Sequence, residues 1–229
     1  MAITTSVIEP ATWHTAREQI DYSLTLLRQV AERPEGAPVL RIYRPQPTVA
    51  FSRRESLMVG FTEAVEQAQS HGFSPIIRPT GGRAVAYDSG SLVMDLVTYD
   101  GPARKDNDQH FREVGQLFVE TMAELGVNAA LGPVAGEYCP GEYSINARGQ
   151  VKIVGTSQRV SKRARLLSAS IPVEDAAAAK SALMACNQAL AFDWNPDTFV
   201  SLSDEVPGLR LSDVHDALTE RFAHAAEFL

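Results

Sequence analysis

Two adjacent glycines set between apolar runs of strand length constrain this chain more than any other feature. Pro75-Ile76-Ile77 leads into Arg78-Pro79-Thr80-Gly81-Gly82-Arg83-Ala84-Val85-Ala86-Tyr87-Asp88, and Leu92-Val93-Met94-Asp95-Leu96-Val97 follows. The pattern predicts strand, loop, strand, with loop backbone bare enough for N–H groups to approach a ligand that side chains would keep away. Arg78 and Arg83 bracket the loop, which suits a ligand carrying negative charge or a polarised carbonyl. A hairpin turn with solvated arginines satisfies the same residues, since glycine pairs are ordinary turn signals. Asp88 either orients a basic side chain or caps the turn at Ser89-Gly90.

The remaining chain alternates helical and extended patterns. Ile20, Leu24, Leu27 and Val30 recur at helical spacing after a cap at Thr12 or Thr15, until Arg33-Pro34 stops them. Val39 to Tyr43 reads as a half-buried strand, and Thr48 to Phe51 as its partner across a Pro-rich turn. Thr62 is expected to cap a helix that ends at Gly72. Loops are expected at 34–38 and 100–107. Phe111 to Leu125 has the longest amphipathic helical pattern, closed by Gly126. Val127 to Leu131, Val151 to Val154 and Leu166 to Pro172 read as strands, with basic Arg159 to Arg165 between the last two as a hairpin or a flexible connection. Ala176 to Ala191 and Val214 to Phe228, the latter capped by Ser212, read as helices. Strands grouped in the middle with helices around them predict an α+β fold with a mixed β-sheet core.

With 229 residues and nothing that marks a linker, the expectation is a single domain over 1–229, without a separate accessory C-terminal domain. A net charge of −7 argues against nucleic acid or an anionic membrane as the main partner. Two cysteines make no disulfide framework, and no apolar run approaches the ~20 residues that span a bilayer. A cytoplasmic monomer is the simplest expectation. The five histidines, His14, His71, His110, His215 and His224, are scattered, so no metal site is expected.

A second stretch sharpens the functional reading: Glu137-Tyr138-Cys139-Pro140-Gly141-Glu142-Tyr143-Ser144-Ile145-Asn146, then Gly149-Gln150-Val151-Lys152-Ile153-Val154-Gly155-Thr156-Ser157-Gln158-Arg159. Taken by itself, Cys139 is a candidate nucleophile or a small buried filler. Lys152 is either the outward residue of a strand or a cation beside a ligand cleft. The two stretches together resemble the biotin and lipoate protein ligases and the lipoyl or octanoyl transferases. In that family an Arg-rich Thr-Gly-Gly loop precedes a Lys-Ile/Val-x-Gly-x-x-Gln-Arg segment. Weaker similarity at Asp21, Pro38 to Tyr43 and Val49 to Arg53 extends the likeness over most of the chain from Asp21 to Val173.

The resemblance implies the mixed-sheet fold of those catalytic domains, a reaction centre at Lys152, and, as in the octanoyltransferase branch, a nucleophilic cysteine at Cys139. It implies substrate contacts at Arg78, Thr80, Gly81, Gly82, Arg83, Ala84, Val85, Val154, Gly155 and Ser157, with Val85 and Val154 lining a tunnel for the acyl chain. The expected reaction moves an octanoyl or lipoyl group from a carrier-protein thioester through a Cys139 acyl-enzyme to a lysine of a lipoyl domain or a glycine-cleavage H-type protein. No cofactor is required on this reading. The alternatives are an ATP- and Mg-dependent ligase forming an acyl-adenylate, and a non-catalytic protein binding acyl chains or lipoyl domains. Arg83 where ligases place a third glycine, and Tyr87 where they place a His, favour transfer. Ser168 replaces a His usual in relatives and weakens both enzymatic readings. The basic run Arg159, Lys162, Arg163, Arg165 offers a patch for an acidic partner.

Overall fold

Residues 4–5, 15–33, 37–100 and 106–225 are described by the structure, a computed structural model. Thr12, Phe228 and residues 34–36 and 101–105 of the two expected loops lie outside these residues. The elements run β1 (Thr4–Thr5), α1 (Ala16–Ala31), β2 (Val39–Tyr43), β3 (Thr48–Phe51), α2 (Phe61–Ser70), β4 (Ser74–Ile77), β5 (Val85–Tyr87), β6 (Ser91–Tyr99), α3 (Asn107–Glu124), β7 (Ala129–Leu131), β8 (Ile145–Ala147), β9 (Val151–Val160), β10 (Ala164–Pro172), α4 (Ala177–Ala189), α5 (Leu202–Glu205) and α6 (Leu211–Ala225).

A seven-stranded sheet has the order β1-β2-β6-β10-β9-β8-β7, and a three-stranded sheet the order β4-β3-β5. The long hairpin of β9 and β10 lies in the middle of the large sheet, and Arg159 to Arg165, expected as a hairpin or a flexible connection, forms the end of that hairpin, with Ser161 to Arg163 between the strands. The predicted hairpin of β2 with β3 does not form. β2 pairs antiparallel with β6, while β3 pairs parallel with β4 and antiparallel with β5. Pro45 and Pro47 stiffen the link between β2 and β3; prolines cannot donate to a ladder and suit a crossing from one sheet to another.

Each face of the large sheet has its own core. Val114, Phe118 and Met122 of α3 and Val214, Leu218 and Phe222 of α6 pack on Leu40, Met94, Ile153 and Leu167. On the opposite face, Ile20 of α1 meets Tyr43, Val85 and Val93, in a cluster that continues under the small sheet to α2 and α4. Thr15 caps α1 by accepting from the Glu18 N–H, and Gly60, not Thr62, precedes α2.

A charged pair is buried at the centre of the large sheet. Arg41 and Asp95 are cross-strand neighbours on β2 and β6, 0% and 1% exposed, with Nη1 3.0 Å from Oδ2. Ser23 donates to Asp95 Oδ2 at 2.6 Å and Ser168 to Oδ1 at 2.5 Å. Ser168 therefore serves the buried carboxylate. Removing one partner of such a pair leaves a desolvated charge, so Asp95→Ala is expected to lose about 3–5 kcal/mol, read as a shift in the urea midpoint at unchanged slope.

Candidate active site

The paired glycines form an edge of a cleft between the two sheets. Glu55 fixes the loop from below. Its carboxylate accepts from the Ser52 N–H at 2.7 Å, the Ser52 hydroxyl at 2.8 Å and the Ala84 N–H at 2.7 Å. Sequence reading missed Glu55, although Ser52-Arg53-Arg54-Glu55 carries the S-x-x-E signature of a capping box. Arg78 fixes the loop from the other side, donating to the Arg83 carbonyl at 2.9 Å and to Ser157 Oγ at 3.1 Å. Ser157 in turn donates to buried Thr80 at 2.9 Å. Arg78, Thr80 and Ser157 thus tie the glycine loop to β9. Asp88 accepts from the Gly90 N–H at 2.9 Å, which makes it a turn residue.

Cys139 reaches this loop from the segment before β8. Its Sγ accepts from the Arg83 N–H at 3.1 Å. Gly82 has φ +94, and a Cβ there would lie 3.2 Å from the sulfur and 2.9 Å from Arg78 Nη2. The close approach of thiol and loop therefore depends on glycine at 82, where any other residue also meets backbone strain of about 1–2 kcal/mol. Gly81 has open space around it. Gly82→Ala is expected to lose about 1–2 kcal/mol of stability and to displace the sulfur, while Gly81→Ala stays within about 0.5 kcal/mol of wild type; thermal melts check the contrast.

Lys152 is 5% exposed, and its ammonium lies 2.8 Å from Glu137 Oε2 and donates to the Cys139 carbonyl at 2.8 Å. The Tyr138 ring centroid is 4.6 Å from Nζ. Burial pulls the Lys152 pKa down, but Tyr138, Glu137 and Cys139 more than offset it, so the group is held above the ordinary lysine value. Glu137, also missed in the sequence, is buried with its oxygens accepting from the Val134 and Gly141 N–H groups and from Ser144 Oγ. It anchors both the cysteine loop and the lysine.

A β-bulge explains how Lys152 and Gly155, three residues apart, share a face. Register shifts between Ile145 and Asn146, so that Ile145 opposes Val154 while Asn146 opposes Lys152. The extra residue reverses the alternation of β9. Gly155 follows on the cleft side, where a Cβ would lie 2.6 Å from Tyr138 Oη and 3.3 Å from Lys152 Cε. Val154 joins the core beneath α3 and α6 and lines none of the cavities described, which corrects its expected place in an acyl tunnel.

Two recesses meet at Cys139. The larger, about 810 Å³, runs past Arg53, Arg83, Arg159 and Phe192; the smaller, about 350 Å³, is lined by Lys152, Phe111 and Tyr143. Gly81, Gly82, Cys139 and Pro140 border both. Behind Thr80 a hollow of about 40 Å³ lies among Ile20, Tyr43, Val85 and Val93; Ala84 is buried. Cys186 takes no part. It donates to the Ala64 carbonyl at 3.3 Å, and burial pushes its thiol up to about 12. The expected basic patch loses Arg165, which is buried against Asp100 at 3.4 Å. Among the described residues no cluster of three His, Cys, Asp or Glu could hold a metal, and no helix is long and apolar enough to cross a membrane.

The family described as the lipoyl protein ligase A/B catalytic domain matches residues 15–223. The chain belongs to this family. An octanoyl-[GcvH]:protein N-octanoyltransferase of Exiguobacterium sibiricum is 34% identical over 137 residues, covering 59% of this chain and 48% of that protein. One from Exiguobacterium sp. is 24% identical over 205 residues, covering 84% and 71%. A lipoyl-[GcvH]:protein N-lipoyltransferase of Listeria monocytogenes is 26% identical over 135 residues, covering 59% and 48%. The chain spans about half the length of most of these curated relatives. Among solved structures, protein Ta0514 of Thermoplasma acidophilum with bound lipoic acid superposes with a TM-score of 0.76 at 22% identity, covering 99% of this chain and 87% of that one. Lipoate-protein ligase A bound with ATP gives 0.73 at 20%, covering 99% and 85%. These neighbours share the ligase fold, as the mixed sheet with flanking helices was expected to.

Proposed function

We propose that this member of the lipoyl ligase and transferase family is an acyltransferase of protein lipoylation that works through a Cys139 acyl-enzyme. The carrying observation is the arrangement around Cys139: the residue borders both recesses, its sulfur accepts the Arg83 N–H, and the buried Lys152 ammonium is fixed at its backbone carbonyl. The cysteine thiolate adds to the donor thioester carbonyl, and the carbonyl oxygen gains negative charge beside the Gly81 and Gly82 backbone, within the field of the Lys152 ammonium. Collapse breaks the bond to the donor sulfur, which leaves as a thiolate. The lysine amine of a lipoyl domain or H-type protein then attacks the acyl-enzyme, forms an amide, releases a proton and returns the Cys139 thiolate. The acyl tail passes Thr80 and widens the hollow beside Val85, where each buried methylene contributes about 0.8 kcal/mol.

The names of the relatives, which transfer octanoyl or lipoyl groups from GcvH to protein, support acyl exchange between proteins. No nucleotide enters this cycle, and the chain works as a soluble monomer. Intact-mass spectrometry after incubation with octanoyl carrier protein, without ATP, tests the reading. A thioester adduct on Cys139 supports it; acyl-AMP formed only with ATP and free octanoate replaces it with a ligase, and neither product leaves a binding protein.

A further inference from the structure

We infer that the large recess is a phosphate-recognition collar, in which Arg53 and Arg54 select donors whose acyl thioester is carried on a phosphate-bearing arm. The inference rests on the transferase reading and deepens it by assigning the residues that choose the donor. The chain carries a net charge of −7, yet six arginines and only two carboxylates line this recess. Both carboxylates are already engaged. Glu55 is buried and occupied by Ser52 and Ala84, and Asp21 lies 3.7 Å from Arg17. The mouth of the recess is thus strongly cationic on an otherwise acidic molecule.

The arginines divide by what they already touch. Arg78 is committed to Ser157 and the Arg83 carbonyl, and Arg159 gives one nitrogen to the Pro79 carbonyl at 3.0 Å. Arg83 lies over the Phe192 ring, 4.3 Å from its centroid, on the way to Cys139. Arg53 and Arg54 are exposed, follow Ser52 just past the end of β3, and have no ion pair or side-chain hydrogen bond among the described residues. Their backbone is held in place: the Arg53 carbonyl accepts from Ser56 at 2.8 Å, and the Arg54 carbonyl accepts from the Leu57 N–H at 3.2 Å. Two uncommitted guanidinium groups on a fixed turn present several N–H donors in a planar fork, the arrangement that binds phosphate oxygens bidentately.

The recess leads from these side chains to the sulfur, so an arm bearing its phosphate at the mouth delivers a thioester to Cys139. An amide on a protein lysine brings no phosphate. ATP would bring phosphates without a preformed thioester, and the two sources of phosphate are separated by experiment.

The test compares R53A/R54A with wild type in single-turnover acylation of Cys139 by octanoyl-coenzyme A, octanoyl carrier protein, and the phosphate-free thioester octanoyl-N-acetylcysteamine. The second-order acylation rate constant for each phosphate-bearing donor relative to the phosphate-free one is expected to fall at least tenfold in the variant, mainly through a higher half-saturating donor concentration. Inorganic pyrophosphate should compete with both phosphate-bearing donors in wild type and weakly in the variant. An unchanged ratio overturns the collar. Wild-type protein that accepts no thioester, but forms acyl-AMP from octanoate and ATP, overturns the transferase reading itself and with it this assignment. A thermal melt of R53A/R54A within a few degrees of wild type shows that the ratio reports binding, because both side chains are exposed.

Discussion

Cys139→Ser is expected to eliminate the acyl-enzyme and to reduce transfer to a lipoyl domain by roughly 10³-fold or more. The serine hydroxyl is close in size, so Gly82, Arg83 and the neighbouring loop keep their places. What changes is the nucleophile. A cysteine supplies a thiolate at accessible pH, whereas a serine hydroxyl needs a strong base beside it, and Lys152 is held as an ammonium by Glu137. Cys186→Ala is the matched control. Its thiol is fully buried, hydrogen-bonded to Ala64 and pushed up to about 12, so its loss should affect stability before transfer. Intact mass and single-turnover transfer, measured on both variants, read the difference. Equal transfer by Cys139→Ser and wild type would remove the covalent step, and ATP-dependent transfer surviving in Cys139→Ser would point to adenylate chemistry.

The parts of this site that were legible in the sequence are those with a local signature. Gly81-Gly82 between apolar runs marks the loop, and Cys139 and Lys152 occupy motif positions that the family resemblance makes visible. α1 and α3 were readable because their buried faces repeat at helical spacing, and β6 because its apolar run is long and bounded by turn residues. Short elements were not. β5 has three residues, and β3 has four that are all buried, so no alternation distinguishes pairing with β2 from membership of a second sheet. Val154 was misplaced because a bulge reverses strand parity without leaving a sequence mark. Arg165 looked like part of a basic surface run until its partner Asp100, sixty-five positions away, became visible. Glu137 has no local signature at all. Its importance comes from a lysine fifteen residues on and from three donors that only the folded loop assembles.

That carboxylate carries the second large effect. Lys152→Met is expected to destabilise the fold by about 3–5 kcal/mol, because Glu137 remains buried without its ammonium, and to lower transfer at least 10²-fold. Folding and chemistry can be separated by changing Glu137 as well. In E137Q/K152M the glutamine oxygen can still accept from Val134 and Gly141, and its amide can donate to Ser144, so no net charge is stranded. The double variant should therefore recover most of the lost stability in urea titration and none of the lost transfer. Recovery of both would reduce Lys152 to a structural ion pair. The pH dependence follows from the same geometry. Folding raises the Lys152 pKa above its ordinary 10.5, so the stabilisation is fully present below that value and is lost only as pH rises through the higher folded value. From pH 7 to 9 the wild-type advantage over E137Q/K152M should stay constant, and it should shrink only in strong alkali. An advantage that instead collapsed near neutrality would mean that Lys152 is neutral in the folded protein, and its proposed electrostatic role at the thioester would then be untenable.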